Sequence, residues 1–172
     1  MNIGIDIDDT ITETTKLANA ILHSDYKDLN ISDYHELNKN DFTKFCKRHT
    51  PEIQKYMILK DGVLEVLNRF KDEGKKIYII TARGSKRMGF LIPITLDFLK
   101  NNNIPYDDII FKQERKGDAC KKLKIDVFID DKESVLDEIK EKNASIRTIR
   151  FLNKPEESIH ESIRSWFQVS LK

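Results

Sequence analysis

The chain opens with Asn2-Ile3-Gly4-Ile5-Asp6-Ile7-Asp8-Asp9-Thr10. The apolar run predicts a buried strand over residues 2–7, closed by alternating acids. Carboxylates crowded at the end of such a strand repel one another unless a cation or a shared proton relieves them. Magnesium suits the task, because it takes hard oxygen ligands while keeping positions for water and phosphate. These residues alone therefore point to a metal-dependent site for phosphate chemistry.

Beyond Thr12 the period turns helical, with Leu17, Ala18, Ile21 and Leu22 on one face. Residues 26–59 are more polar. They predict two short helices and a better one that starts at Thr50-Pro51, with Thr50 as cap and Ile53, Tyr56 and Met57 buried. A stronger amphipathic helix carries Val63, Val66, Leu67 and Phe70 and stops at Gly74. Residues 76–81 read as a strand covered on both faces. Next come a loop over 84–92, a helix opening at Pro93, a short strand over 108–111, a helix over 116–123 and a strand over 125–129. A helix with Val135, Leu136 and Ile139, a strand over 146–151 and a final helix burying Ile159, Ile163, Trp166 and Phe167 complete the chain.

Strands alternating with helices predict an α/β fold, a Rossmann-like three-layer sandwich with a central parallel sheet. Residues 13–59 fit no single crossover. They are expected to form a small helical cap inserted after the first strand, leaving residues 1–12 and 60–172 as the catalytic core. Parallel strands joined by right-handed crossovers end on one edge, where ligands bind.

The chain has 172 residues, 39% hydrophobic and 34% charged, with a net charge of +1. This balance gives no field steering it to nucleic acid or an anionic membrane, and leaves small phosphorylated substrates open. No apolar run approaches the ~20 residues of a membrane span. Cys46 and Cys120 suggest no disulfide framework. With no secretory pattern at the start, the expected location is cytoplasmic.

The residues just past each buried strand narrow the chemistry. Asp6, Asp8 and Thr10 end the first, and Thr81, Ala82 and Arg83 the second. Asp130 and Asp131 come after the strand at 125–129, and Lys116 opens the helix leading into it. Singly, each has an ordinary explanation: a turn, a strand end, a helix cap or a solvated lysine among Arg115, Lys121 and Lys122. In order, at one sheet edge, they form a constellation.

In this order they resemble the four motifs of the haloacid-dehalogenase-like phosphohydrolase superfamily: Asp6-x-Asp8-x-Thr10, then Thr81, Lys116 and Asp130-Asp131. Within it, Thr81-Ala82-Arg83, the insert after the first motif and Phe128-Ile129-Asp130-Asp131-Lys132 resemble the 5'(3')-deoxyribonucleotidase-like group. The resemblance implies a phosphoric monoester hydrolase, a nucleotidase or similar phosphatase. Asp6 would be its nucleophile, forming an aspartyl-phosphate, and Asp8 its general acid and base, protonated when substrate binds. Mg2+ would be held by Asp6, the backbone carbonyl of Asp8 and Asp131, with Asp130 behind. The opposite assignment of Asp130 and Asp131 stays open. Thr81 and neighbouring amides would bind phosphate oxygens, and Lys116 would neutralise Asp6 and phosphate. Position 9 departs from the pattern: Asp stands where the family has Gly, at a turn with unusual backbone angles.

Two other functions use similar residues. One is a 3'-phosphatase acting on nucleic-acid ends, against which the absence of a basic stripe argues. The other is a phospho-accepting receiver-type signalling module, whose acceptor lies on an internal strand. Arg83, Ser85 and Arg87 are candidates for substrate contact or plain solvation. Tyr26, Tyr34, Phe42, Phe45 and Tyr56 would stack a base or form the core of the insert, and the four histidines read as surface or cap residues.

Overall fold

A computed structural model describes residues 1–26, 30–85 and 88–171. Its centre is a six-stranded sheet in the order β3-β2-β1-β4-β5-β6. The strands are β1 (Asn2–Ile5), β2 (Lys76–Ile80), β3 (Asp108–Ile110), β4 (Val127–Asp130), β5 (Arg147–Phe151) and β6 (Glu161–Ile163). Every neighbouring pair is parallel. The helices are α1 (Thr14–Asp25), α2 (Lys39–Tyr56), α3 (Val63–Asp72), α4 (Leu91–Asn101), α5 (Gly117–Lys122) and α6 (Glu133–Lys142).

Alternation along the strands assigns the two faces of the sheet. Ile3, Ile5, Ile77, Ile79, Val127 and Ile129 pack with α3, α4 and Trp166. Phe128, Ile80 and Ile146 pack with α5 and α6 on the other side. The chain is thus a Rossmann-like α/β fold. Strand order reverses beside β1, so the carboxyl ends of β1 and β4 flank a switch-point crevice.

Between β1 and α3 the chain forms α1, a 3-10 turn over Tyr34–Glu36 and α2. Its two ends are stitched together where they leave the core. Thr12 and Leu59 form an antiparallel bridge, Glu13 N–H donates to the Ile58 carbonyl at 3.0 Å, and Lys60 N–H donates to the Ile11 carbonyl at 2.9 Å.

Three local expectations are corrected. Thr50-Pro51 starts no helix, because α2 runs through both. The Thr50 hydroxyl instead turns back to the Cys46 carbonyl at 2.5 Å, the alternative open to a mid-helix threonine. The chain end forms β6 and a 3-10 turn, Trp166–Gln168, rather than a helix. Ile163 and Trp166 are buried as expected, but Ile159 and Phe167 are exposed. The free edge of β5 offers backbone partners that outweigh the helical period, and the Trp166 indole N–H donates to the Thr10 carbonyl at 2.9 Å. Finally, His49 is buried rather than superficial, packed on Phe45 with ring centroids 4.8 Å apart.

Gly4 shows how tightly β1 is held. A Cβ there would lie 2.4 Å from the Phe128 ring, and that ring sits under the Lys116 ammonium, 5.4 Å from its centroid. Gly4→Ala is expected to destabilise the fold by about 1–3 kcal/mol, as overpacking does, read as a lower denaturant midpoint. An unchanged midpoint would show that the sheet has slack at this position.

Candidate functional site

The carboxyl edge gathers four of the expected residues into one buried cluster. Lys116, the residue capping α5, is 3% exposed. Its ammonium donates to Asp6 Oδ1 at 2.5 Å and to Asp130 Oδ2 at 2.7 Å. One carboxylate oxygen each of Asp6, Asp130 and Asp131 lies within 4.8 Å of the others. Asp130 spends its second oxygen on the Lys132 amide at 2.9 Å, whereas the Asp131 carboxylate makes no hydrogen bond among the described residues.

The electrostatics follow from that crowding. Burial, with help from Asp130 and Asp8, raises Asp6 to about 6 against the pull of Lys116. Burial and the charges of Asp130 and Asp6 raise Asp131 to about 8. Burial disfavours the Lys116 ammonium, but Asp130 and Asp6 outweigh it and hold it charged. Ionised together, the three carboxylates would outnumber the one ammonium by two charges, a deficit that a divalent cation would fill. The donor set is all oxygen, which suits a hard ion such as magnesium. Among the described residues Asp131 has both oxygens unspent, whereas Asp130 is already committed to Lys116 and the turn.

Asp8 turns the other way. Arg83 grips its carboxylate with two donors, Nε at 2.9 Å and Nη2 at 2.6 Å, and the Thr14 hydroxyl at the start of α1 adds a third at 2.8 Å. Burial would raise the Asp8 pKa, but Arg83 wins and lowers it to about 2. The Asp8 side chain therefore stands outside the carboxylate cluster and is ionised in the substrate-free chain. Arg83 is itself buried, its remaining nitrogen donating to the Thr95 hydroxyl at 3.0 Å. Its guanidinium is engaged by the Asp8 carboxylate and the Thr95 hydroxyl. Thr81 is buried and its hydroxyl accepts the Arg83 amide at 3.2 Å, while Ala82 is exposed at the rim. Arg87 lies outside the described residues.

Two features go beyond the sequence reading. Asp9 adopts the left-handed φ of 57°, as expected of the unusual turn at this position, but it also takes a role not foreseen. Its carboxylate accepts the Thr15 amide at 2.9 Å and the Thr15 hydroxyl, a cap for α1 that Glu13 does not supply. The second is a cavity of about 280 Å³ between the sheet edge and the insert. Asp8, Arg83 and Lys132 line it from the core side, and Tyr34, Phe42 and Met57 line it from the insert. Tyr34 and Phe42 are already stacked on each other, centroids 5.5 Å apart, so they form the insert's own packing as well as the cavity wall. Tyr56, by contrast, faces solvent.

Comparison with known proteins agrees with this fold. A protein of Halalkalibacterium halodurans described as a "putative nucleotidase" is 31% identical over 138 residues, covering 75% of this chain and 68% of that protein. The chain belongs to the haloacid-dehalogenase-like phosphohydrolase superfamily. Solved structures of that superfamily share the fold at low identity. A hydrolase of family IA from Entamoeba histolytica aligns with a TM-score of 0.63 at 15% identity, over 99% of this chain and 95% of that one. A predicted phosphatase from Clostridium acetobutylicum aligns at 0.64 and 17%, over 87% and 83%. No family model matches the chain. Among the described residues, no helix is long and apolar enough to cross a membrane.

The crowded acids give a signed prediction for the metal-free protein. Asp6 and Asp131 titrate in the fold above their ordinary value of 3.8. Their contribution to stability is therefore complete below that value and lost as pH rises through about 6 and about 8. Thermal melts in chelator should fall across that window, and Asp131→Asn should flatten the upper part of the fall. A melting temperature that rises with pH in chelator would contradict this electrostatic reading.

Proposed function

We propose that the chain is a magnesium-dependent phosphomonoesterase that works through an aspartyl-phosphate on Asp6. Its substrate would be a nucleotide or a similar small phosphate ester. The observation that carries this reading is the cluster of Asp6, Asp130 and Asp131 at the switch-point edge, with the Lys116 ammonium bonded to Asp6 and Asp130. The named relative and the superfamily support it.

In this reading Asp6 attacks phosphorus and expels the leaving alkoxide. The Lys116 ammonium, bonded to the nucleophile already, also faces the charge that spreads over the phosphoryl oxygens. Asp6 and Asp131 would hold the Mg2+ ion, with Asp130 and the Asp8 carbonyl in support. When bound, the ion would neutralise phosphoryl charge. Thr81, Ala82 and the amides of that turn would receive phosphate oxygens.

Asp8 stands ionised, the state that takes a proton from the hydrolytic water. To protonate a leaving group it must first take up a proton itself, and its pairing with Arg83, which disfavours that uptake, has to loosen. That assigns Arg83 a place in handling Asp8 rather than in gripping substrate. Residues 13–59 serve as the cap, closing the cavity over the leaving group with Tyr34, Phe42 and Met57. A largely apolar wall with a few polar groups suits a planar or sugar-bearing leaving group.

The test is a phosphate-release screen over nucleoside monophosphates, sugar phosphates and aryl phosphates, with Mg2+ present and chelated. Turnover is expected on a nucleotide, lost on chelation, and reduced at least about a thousandfold by Asp6→Asn. Lys116→Ala should leave a weak enzyme that saturates poorly. Wild-type turnover by Asp6→Asn, or turnover indifferent to chelation, would overturn the proposal.

A further inference from the structure

Lys116 carries much of the proposed chemistry, yet its long side chain hangs from the start of a helix of only six residues. That helix supplies no cap of its own, as no side chain from within it satisfies its first amides. Such amides need a partner, and here the partner comes from another helix. Glu138, from the middle of α6, accepts the Lys116 amide at 3.0 Å and the Gly117 amide at 2.9 Å on one oxygen, Oε2. Its side chain is 12% exposed. Among the described residues its other oxygen is buried without a hydrogen bond, and it lies 3.7 Å from Arg115 Nε.

The contact is built by close approach. A Cβ on Gly117 would lie 2.6 Å from Lys142 Cγ and 2.9 Å from Glu138 Oε1, so only glycine lets α5 and α6 come together here. The same helix α6 starts two residues after Asp131. Thus β4 ends on Asp130, which meets the Lys116 ammonium, and α6, which follows it closely in the chain, carries the carboxylate that accepts the Lys116 amide. The charge is also on the right side, since a carboxylate is favoured at the positive end of a helix.

We infer that Glu138 is a positioning residue for Lys116, holding its backbone through two amides so that the ammonium reaches Asp6 and the substrate phosphate together. This rests on the reading of Lys116 as the phosphate-contacting cation. A role in helix packing alone would lower stability and leave the kinetic constants of the folded enzyme untouched. A positioning role changes them, because a displacement near 1 Å at a reacting group costs about a hundredfold in rate.

The experiment measures kcat and KM for p-nitrophenyl phosphate with Mg2+, and the inhibition constant of inorganic phosphate, alongside thermal melts. Glu138→Ala should raise KM and the phosphate inhibition constant together and lower kcat/KM about 10- to 100-fold. Glu138→Gln keeps an acceptor for both amides and should restore most of the loss. Gly117→Ala, which leaves the carboxylate intact and spreads the helices, should shift the constants in the same direction and carries the test if Glu138→Ala folds poorly. On a Lys116→Ala background, Glu138→Ala should cost almost nothing more.

Wild-type constants in both Glu138→Ala and Gly117→Ala would overturn the inference, as would losses that simply add to that of Lys116→Ala. Wild-type constants in Lys116→Ala itself would instead overturn the reading beneath it. The two failures are told apart by that single variant.

Discussion

The structure depends on one buried ammonium set between two buried carboxylates. Lys116 joins a helix on one face of the sheet to the ends of its two central strands, β1 and β4. Removing charges from water is costly, and an ion pair in the interior holds only when geometry and hydrogen bonds are both good. Here they are, since Lys116 donates within 2.7 Å to Asp6 and Asp130. What it cannot do is neutralise Asp131 as well. Burial and the neighbouring acids therefore hold Asp6 and Asp131 well above the ordinary carboxylate range, and a hard cation at the carboxyl edge would relieve that crowding.

Around that centre the chain divides its acids by partner. Asp6 is governed by a lysine and by burial, and Asp8 by an arginine. Two residues apart at the end of one strand, they are driven in opposite directions, one to about 6 and the other to about 2. The Arg83–Asp8 pair also ties the core to the insert, because Thr14 of α1 shares the Asp8 carboxylate and the Arg83 guanidinium reaches Met57 Sδ at 3.9 Å. A movement of the insert would therefore be felt at Asp8 before it was felt at Asp6.

Much of this was legible in the residues. Buried strands announce themselves by continuous apolar runs, and whatever comes after such a strand in a parallel sheet arrives at one edge. That logic placed Asp6, Thr81, Lys116, Asp130 and Asp131 at one edge, while the preference for Asp131 over Asp130 as metal ligand came from the family resemblance, with the opposite assignment open. It did not foresee which acid Arg83 would choose, because a guanidinium's partner is set by reach across the fold. Nor did it find Asp9 as the cap of α1, although the aspartate in a glycine's place was the available signal. The chain end misled through a genuine helical period at Ile159, Ile163 and Trp166. An open strand edge at β5 supplied stronger partners, and periodicity carries no information about edges. Thr50-Pro51 misled in the reverse sense, since a start signal inside a longer amphipathic run is overridden by packing on both sides.

The central claim is that Asp6 and Asp131 hold a divalent cation while Lys116 remains on Asp6. A crystal structure with Mn2+ read by its anomalous signal tests this most directly. The predicted result is one strong peak in contact with carboxylate oxygens of Asp6 and Asp131, with the Lys116 ammonium still bonded to Asp6. A cluster left empty at saturating Mn2+, or a peak bound elsewhere on the sheet edge, would contradict it.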